Sequence, residues 1–494
     1  MGAAALILAA WLMPVAWLEV SARLVDRGAE GLWLGLALTL APLLALNLGS
    51  RAAASPPRER EPLFPVLALL LVVSMLLWAQ IALAAEVAAW AGGRRWIGIA
   101  ITAGAGWLLA GSRQTRRAVP ALLVVAIVSA TLPLVELARL ARVGPLGAWE
   151  RVASQSTFAF PPSSPWVTGG HDLKMSRGRA VLAFDEEHRV TTPAGGTLRV
   201  RAVDGSRISD IDWELAPGQW VTLRPGDQLQ PPFATPMRFE AGRSVPGAPS
   251  SGITWAAGQT PTWAAAMGLL VTILLGAVAL LRSGPNVHIS RRAVTLVGGG
   301  LVGAFLWAQG WATYSVLSAP DLWLGGVSAE RLLDVQGFAL RSSPWRRPLE
   351  LLLLAGGAAA FLASSVALRE RIGGLDRRGG GQIGRDLGLW GAVFGVAAVA
   401  SLWPADPWAL TLLALGAAAS SLAPGLLWPD PKSAGPATAA GLVGLVVFGA
   451  LAGLAQFRGP APGPLGALLT YPALAAVPAG AVALWLGRRL LARS

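Results

Sequence analysis

Residues 64–86 read FPVLALLLVVSMLLWAQIALAAE, 23 residues in which Ser74, Gln80 and the final Glu86 are the only strongly polar side chains. A run of this length and composition matches a helix crossing a hydrocarbon layer, where no water is available to exposed backbone groups. Its tetrapeptide Leu77-Trp78-Ala79-Gln80 returns as Leu306-Trp307-Ala308-Gln309, inside another apolar run. Reading outward from this stretch, eleven further runs are found: 2–18, 31–48, 96–111, 118–138, 261–281, 293–314, 349–368, 387–402, 407–427, 437–456 and 466–487. The expected fold is therefore an all-α polytopic membrane bundle of about 12 transmembrane helices.

Composition points the same way. Of the 494 residues 54% are hydrophobic and 14% charged, and mean hydropathy is +0.55, values typical of membrane proteins. No cysteine is present, which excludes disulfides, thiolate metal sites and thioether haem attachment within the chain. The three histidines, His171, His188 and His288, all lie outside the apolar runs. No cofactor or metal is expected. Lys174 and Lys432 are the only lysines; arginine dominance together with abundant Ala and Gly suggests a high-GC bacterial genome.

A formal charge of +13 would suggest nucleic acid in a soluble protein. Here residues 139–260 hold 13 Lys+Arg against 11 Asp+Glu, and the membrane loops and ends hold 27 against 16. Basic loops flanking apolar spans set membrane orientation, so the excess is assigned to topology, with no nucleic-acid partner. With the N-terminus cytoplasmic, inner loops carry 18 Lys+Arg and outer short loops nine. That bias places both termini in the cytoplasm of a bacterial inner membrane and residues 139–260 outside. Three parts follow: five spans in 1–138, an extracytoplasmic domain in 139–260, and seven spans in 261–494.

The middle part changes character. Short alternating runs such as RAVLAF (179–184) and TLRVRAV (197–203) are separated by Pro/Gly turns, as is QWVTLRPGDQL (219–229). This pattern predicts a small antiparallel β-sandwich or partial barrel near 165–245, tethered by the Pro/Ser-rich linkers FPPSSP (160–165) and VPGAPSSG (245–252). Asp210, Asp212 and Glu214 share one strand face, either an acidic docking patch or a solvated face with Arg199, Arg201 and Arg207 nearby. Residues 185–188, DEEH, read as a hairpin tip. No nucleophile triad, phosphate-cradling loop or HExxH pattern is present.

Acids near span centres would signal an ion path. Instead Glu19, Glu86, Glu136, Glu350 and Asp406 fall at outer span ends, where Glu136, Glu350 and Asp406 extend the candidate docking surface. Trp17, Trp90, Trp96, Trp263, Trp311, Trp403 and Trp408 fall at the same level and read as an aromatic belt. Ser328 to Leu340 reads as a short interfacial helix. Gln80, Gln309 and Gln456 recur every fourth span at similar depth, as chance, interhelical contacts or pocket lining. The basic segment 369–386 suits anionic lipid or a cytoplasmic partner.

The favoured function is an integral membrane scaffold that presents its β-domain to a protein partner for complex assembly. One alternative is a multi-helix lipid-linked glycosyltransferase, using the acids Glu19, Asp26 and Glu30 of a first outer loop at 19–31. The other is a permease subunit of an ATP-driven exporter. Enzymatic activity is the less favoured reading.

Overall fold

Apolar runs without internal hydrogen-bond partners must become helices, and they do. The structure, a computed structural model, describes residues 2–52, 63–90, 94–110, 112–162, 167–168, 182–204, 207–230, 236–258, 263–282, 291–324, 332, 340, 343–373, 383–403, 406–424, 434–458 and 463–491. Before the sheets lie α1 (Gly2–Trp11), α2 (Pro14–Arg27), α3 (Ala29–Ala52), α4 (Leu63–Trp90), α5 (Arg95–Ala110), α6 (Arg113–Ala141) and the short α7 (Pro145–Ala153). After them come α8 (Gly252–Ala257), α9 (Trp263–Arg282), α10 (Arg291–Ser318), α11 (Arg346–Gly373), α12 (Ile383–Ala400), α13 (Pro407–Ser421), α14 (Ala434–Arg458), α15 (Gly463–Thr470) and α16 (Ala473–Leu491).

Seven of the described helices are long and apolar enough to cross a membrane, or eight if α1 and α2, bent by 45° to one another, form one broken span. Such a set is that of a multi-pass membrane protein. Four further expected spans appear as shorter apolar helices, Gly31–Leu46, Arg95–Ala110, Leu389–Ala400 and Pro407–Ser421.

The bend between α1 and α2 has a local cause. Pro14 opens α2 and lacks the N–H that would continue the ladder. The Trp17 indole donates to Trp11 O at 2.9 Å, satisfying a carbonyl that the break exposes. Small residues set other contacts: a Cβ on Gly444 of α14 would lie 2.1 Å from Ser420 O of α13, so only glycine allows that approach.

Among the described residues, eight strands form two four-stranded antiparallel sheets. The strands are β1 (Val167–Thr168), β2 (Leu182–Ala183), β3 (His188–Thr191), β4 (Gly196–Asp204), β5 (Arg207–Leu215), β6 (Trp220–Leu223), β7 (Gln228–Gln230) and β8 (Pro236–Phe239). One sheet has the order β1-β8-β3-β6 and the other β2-β7-β4-β5. The turn at Pro225-Gly226-Asp227 thus joins strands of different sheets. Phe184, Val190, Leu198, Val200, Leu223 and Phe239 are buried in a cluster continuous with the helix core.

Residues 245–252, expected to be a loose linker, are packed instead. Val245 is buried, its N–H donates to Phe158 O at 2.9 Å, and Ser251 caps α8. Proline and glycine there make tight turns against apolar neighbours. Of the expected helix 328–340 only Leu332 and Leu340 are described, both buried; the rest lies outside the described residues, as do His171 and His288.

Candidate functional site

Two places in the molecule bring chemically useful groups together: the seat of the sheets on the helix ends, and a pair of cavities between helices.

The seat is built on α2. Its charged residues were expected to mark a loop at 19–31, but α2 runs unbroken to Arg27 and α3 begins at Ala29. The charges occupy one helical face: Glu19, Arg23 and Arg27 recur at i, i+4, while Val20, Leu24 and Val25 are buried on the other. The whole connection between α2 and α3 is Gly28. Val25 O accepts from two indoles, Trp255 Nε1 at 2.9 Å and Trp323 Nε1 at 3.2 Å. Trp255 also packs on Trp149 of α7, ring centroids 4.7 Å apart, and Trp323 on Phe158, 4.6 Å apart. Aromatic contacts of this spacing add to area burial.

Inside the sheet module, His188 is buried at 1% exposure, with Nδ1 2.8 Å from Glu186 O and Nε2 2.7 Å from Ser244 O. Residues 185–187 do form a turn between β2 and β3, yet His188 points into the core. The Glu186 carboxylate accepts from Ser244 Oγ at 2.7 Å and Ser244 N at 2.6 Å. Those hydrogen bonds, side chain first, hold its pKa below the ordinary 4.5. Because the folded value is depressed, the stabilisation is fully present above the unfolded value and lost as pH falls through the folded one. Acid titration of the full chain in detergent, followed by circular dichroism, is expected to show module stability falling below about pH 4.5. Glu186→Gln, which lacks the carboxylate at every pH, is expected to be less stable at neutral pH and to change less with acid. Identical acid profiles for the two proteins would contradict this assignment.

The smaller cavity, about 420 Å³, lies at the module-side end of α2, α3, α9, α13 and α14. Arg23, Arg27, Asp406, Gln456 and Tyr471 line its polar part, and Leu412, Leu413 and Phe448 its apolar wall. Arg27 keeps Asp26 at 3.5 Å. Asp406 caps α13, accepting from Trp408 N at 2.9 Å. The larger cavity, about 740 Å³, is walled by the α1–α2 bend, α4, α5, α6, α10 and α11, with Gln80, Thr102, Thr131 and Glu350 among its few polar groups. Broken helices at membrane depth typically line such spaces.

The three glutamines therefore part company. Gln80, 3% exposed, accepts from Ser364 Oγ at 2.5 Å and ties α4 to α11. Gln456 lines the smaller cavity. Gln309 lines neither, and it is its backbone carbonyl that accepts from the Thr313 hydroxyl. Even the neighbouring tryptophans differ, since Trp307 Nε1 donates to Ala130 O across to α6.

The predicted docking acids also separate. Arg199 stands directly opposite Asp212 and Arg201 opposite Asp210 on β4 and β5, with contacts of 2.9 and 3.0 Å. Each arginine, hydrogen-bond first, lowers the pKa of its aspartate. The face is a ladder of paired charges rather than an acidic patch, with Glu214 across from Thr197. Glu136 is buried, engaged by Arg139 at 2.7 Å and by the Ser343 hydroxyl. It fastens α6 to the segment that leads into α11. Glu350 pairs with Arg346 at 2.8 Å.

Of the glycosyltransferase acids, Glu19 and Asp26 sit on helix α2, and the Glu30 side chain lies outside the described residues. Among the described residues no three metal-ligating side chains converge. In the basic segment 369–386, Arg369 Nη1 donates to Ala110 O at 3.0 Å and Glu370 pairs with Arg116 at 3.1 Å; residues 374–382 lie outside the described residues.

The aromatic belt is partly a core. Trp96, Trp263 and Trp403 are exposed at the rim, whereas Trp17, Trp311 and Trp408 are buried; the Trp90 side chain lies outside the described residues. Arg23, Trp255 and Trp323 were not singled out from sequence. The i, i+4 spacing of Glu19, Arg23 and Arg27 against Val20 and Leu24 is the signal that could have found the first.

No protein-family model matches the chain, and a search of curated proteins finds no match to it either.

Proposed function

We propose that this chain is a scaffold of a bacterial cytoplasmic membrane, crossing it about twelve times with both termini in the cytoplasm. It displays an extracytoplasmic β-sandwich module on which a protein partner docks for complex assembly. Five crossings precede the module and seven follow. The positive-inside bias supports this orientation, with 18 Lys+Arg in the inner loops against nine in the outer ones.

The observation that carries the docking reading is the seat. Both Trp255 and Trp323 donate to the single carbonyl of Val25, and the module core is continuous with the helix core. A receptor that captures cargo by swinging on linkers needs no such attachment; a platform that holds one face in a fixed direction does. The face in question is the β4–β5 ribbon, whose outer strand β5 ends its sheet. Ile208 is 67% exposed there, on the same strand face as Asp210 and Asp212 of the Arg–Asp ladder. An exposed apolar side chain beside paired charges has the makeup of a protein interface. The basic segment 369–386 gives membrane lipid or a cytoplasmic partner a second contact.

Purification of the full chain in mild detergent is expected to retain a stoichiometric protein partner. The variant Ile208→Asp is expected to lose it, at least about tenfold, with an unchanged circular dichroism spectrum. A chain that purifies alone, or a partner retained equally by the variant, would refute the docking role.

A further inference from the structure

The smaller cavity combines features that no part of the scaffold role requires. Arg23 and Arg27 lie one turn apart on α2 and both reach its polar mouth, where Gln456 and Tyr471 add further hydrogen-bonding groups. Two turns deeper on α13 and α14, the wall turns to Leu412, Leu413 and Phe448. Polarity thus falls along the helix axes, from the module-side end inward.

The charge balance at the mouth favours an anion. Arg27 holds Asp26, and the Asp406 carboxylate is occupied by the backbone N–H groups of Trp408 and Ala409. Arg23 is half-buried, and no ion pair to it is found among the described residues. A guanidinium partly withdrawn from water gains most from a doubly hydrogen-bonded phosphate. Its volume of about 420 Å³ falls within the roughly 300–1,000 Å³ of small-molecule sites. The rim residue Trp33 is 54% exposed, on the side of α3 that also exposes Leu36 and Leu40. That apolar strip would face lipid, so entry is lateral.

We propose that this cavity binds an anionic phospholipid of the leaflet on the module side, its phosphate on Arg23 and Arg27 and an acyl chain along Leu412, Leu413 and Phe448. The proposal needs these helices to lie in a membrane; it is independent of partner docking.

The test is native mass spectrometry of the detergent-solubilised full chain with phosphatidylglycerol, with phosphatidylcholine of the same acyl chains, and with inorganic phosphate as competitor. Phosphatidylglycerol is expected to be retained about tenfold better than phosphatidylcholine, because both offer the phosphate but the choline cation of the second is repelled by the two guanidiniums. Arg23→Gln is expected to remove that preference and Arg23→Lys to restore part of it. Leu413→Trp, which fills the apolar wall, is expected to weaken both lipids, and Arg117→Gln at the opposite end to change neither. Equal retention of the two lipids, or an unaltered preference in Arg23→Gln, would overturn the site. Displacement by phosphate together with indifference to Leu413→Trp would overturn the lipid and leave a soluble anion. Thermal melting of each variant separates a lost site from a lost fold.

Discussion

Gly28→Ala is expected to unseat the sheet module from the helices, the largest effect of any single methyl group at this junction. Gly28 has φ 54° and ψ −121°, a backbone conformation that glycine adopts freely and residues with a Cβ do not. An added Cβ would also stand 1.7 Å from Trp255 O. Neither clash can be relieved by rotating a side chain, because the overlapping atom belongs to the backbone of α8. The strain of the dihedral, about 1–2 kcal/mol, adds to an overpacking cost of about 1–3 kcal/mol. Relief requires α8 to move, and with it the hydrogen bond from Trp255 to Val25 O. The full chain in detergent is expected to melt several degrees lower and to release the module to limited proteolysis between α7 and α9. Gly144→Ala is the control: no atom lies within 4 Å of its added Cβ, and φ there is −71°. If the two variants melt together and resist protease alike, the seat is not what holds the module.

Much of the architecture can be read from the apolar runs because a membrane span is a one-dimensional signal: length and hydropathy suffice. The 64–86 run lies within α4, and each other run coincides with one or two helices. What stays hidden is which face of a helix turns inward. Trp17, Trp311 and Trp408 have the composition of a belt and the position of a core, a distinction set by neighbours that are distant in sequence. Along the chain the polar residues 19–27 have the composition of a span's end; around the helix they do not. On α2 they occupy one face, and Arg23 there lines a cavity.

The sheet region shows the same limit. Alternation locates β4 and β5 and puts Asp210, Asp212 and Glu214 on one face. Only the register reveals that Arg199 meets Asp212 and Arg201 meets Asp210. Proline and serine made 245–252 read as a tether; Val245 and the Ser251 cap make it part of the packed seat. The repeated LWAQ motif shows how local identity can mislead. The Gln80 amide accepts from Ser364 on α11, whereas the hydrogen bond at Gln309 is to its backbone oxygen. Trp307 donates to Ala130 O, while the Trp78 indole N–H has no partner among the described residues.

The proposed placement of the module on the far side of a membrane is all-or-none and accessible to one measurement. The chain has no cysteine, so single cysteines can be introduced with no background. Ser156 and Thr222 are exposed on the module, and Gln114 and Leu490 are exposed at the opposite end of the bundle. An odd number of crossings before α7 puts the first pair outside and the second in the cytoplasm. With a membrane-impermeant maleimide on intact cells, Ser156→Cys and Thr222→Cys are expected to label fully, and Gln114→Cys and Leu490→Cys only after permeabilisation. Protection of the two module positions with labelling of the other two would invert the protein in its membrane. Labelling of all four in intact cells would deny that a membrane separates the two ends.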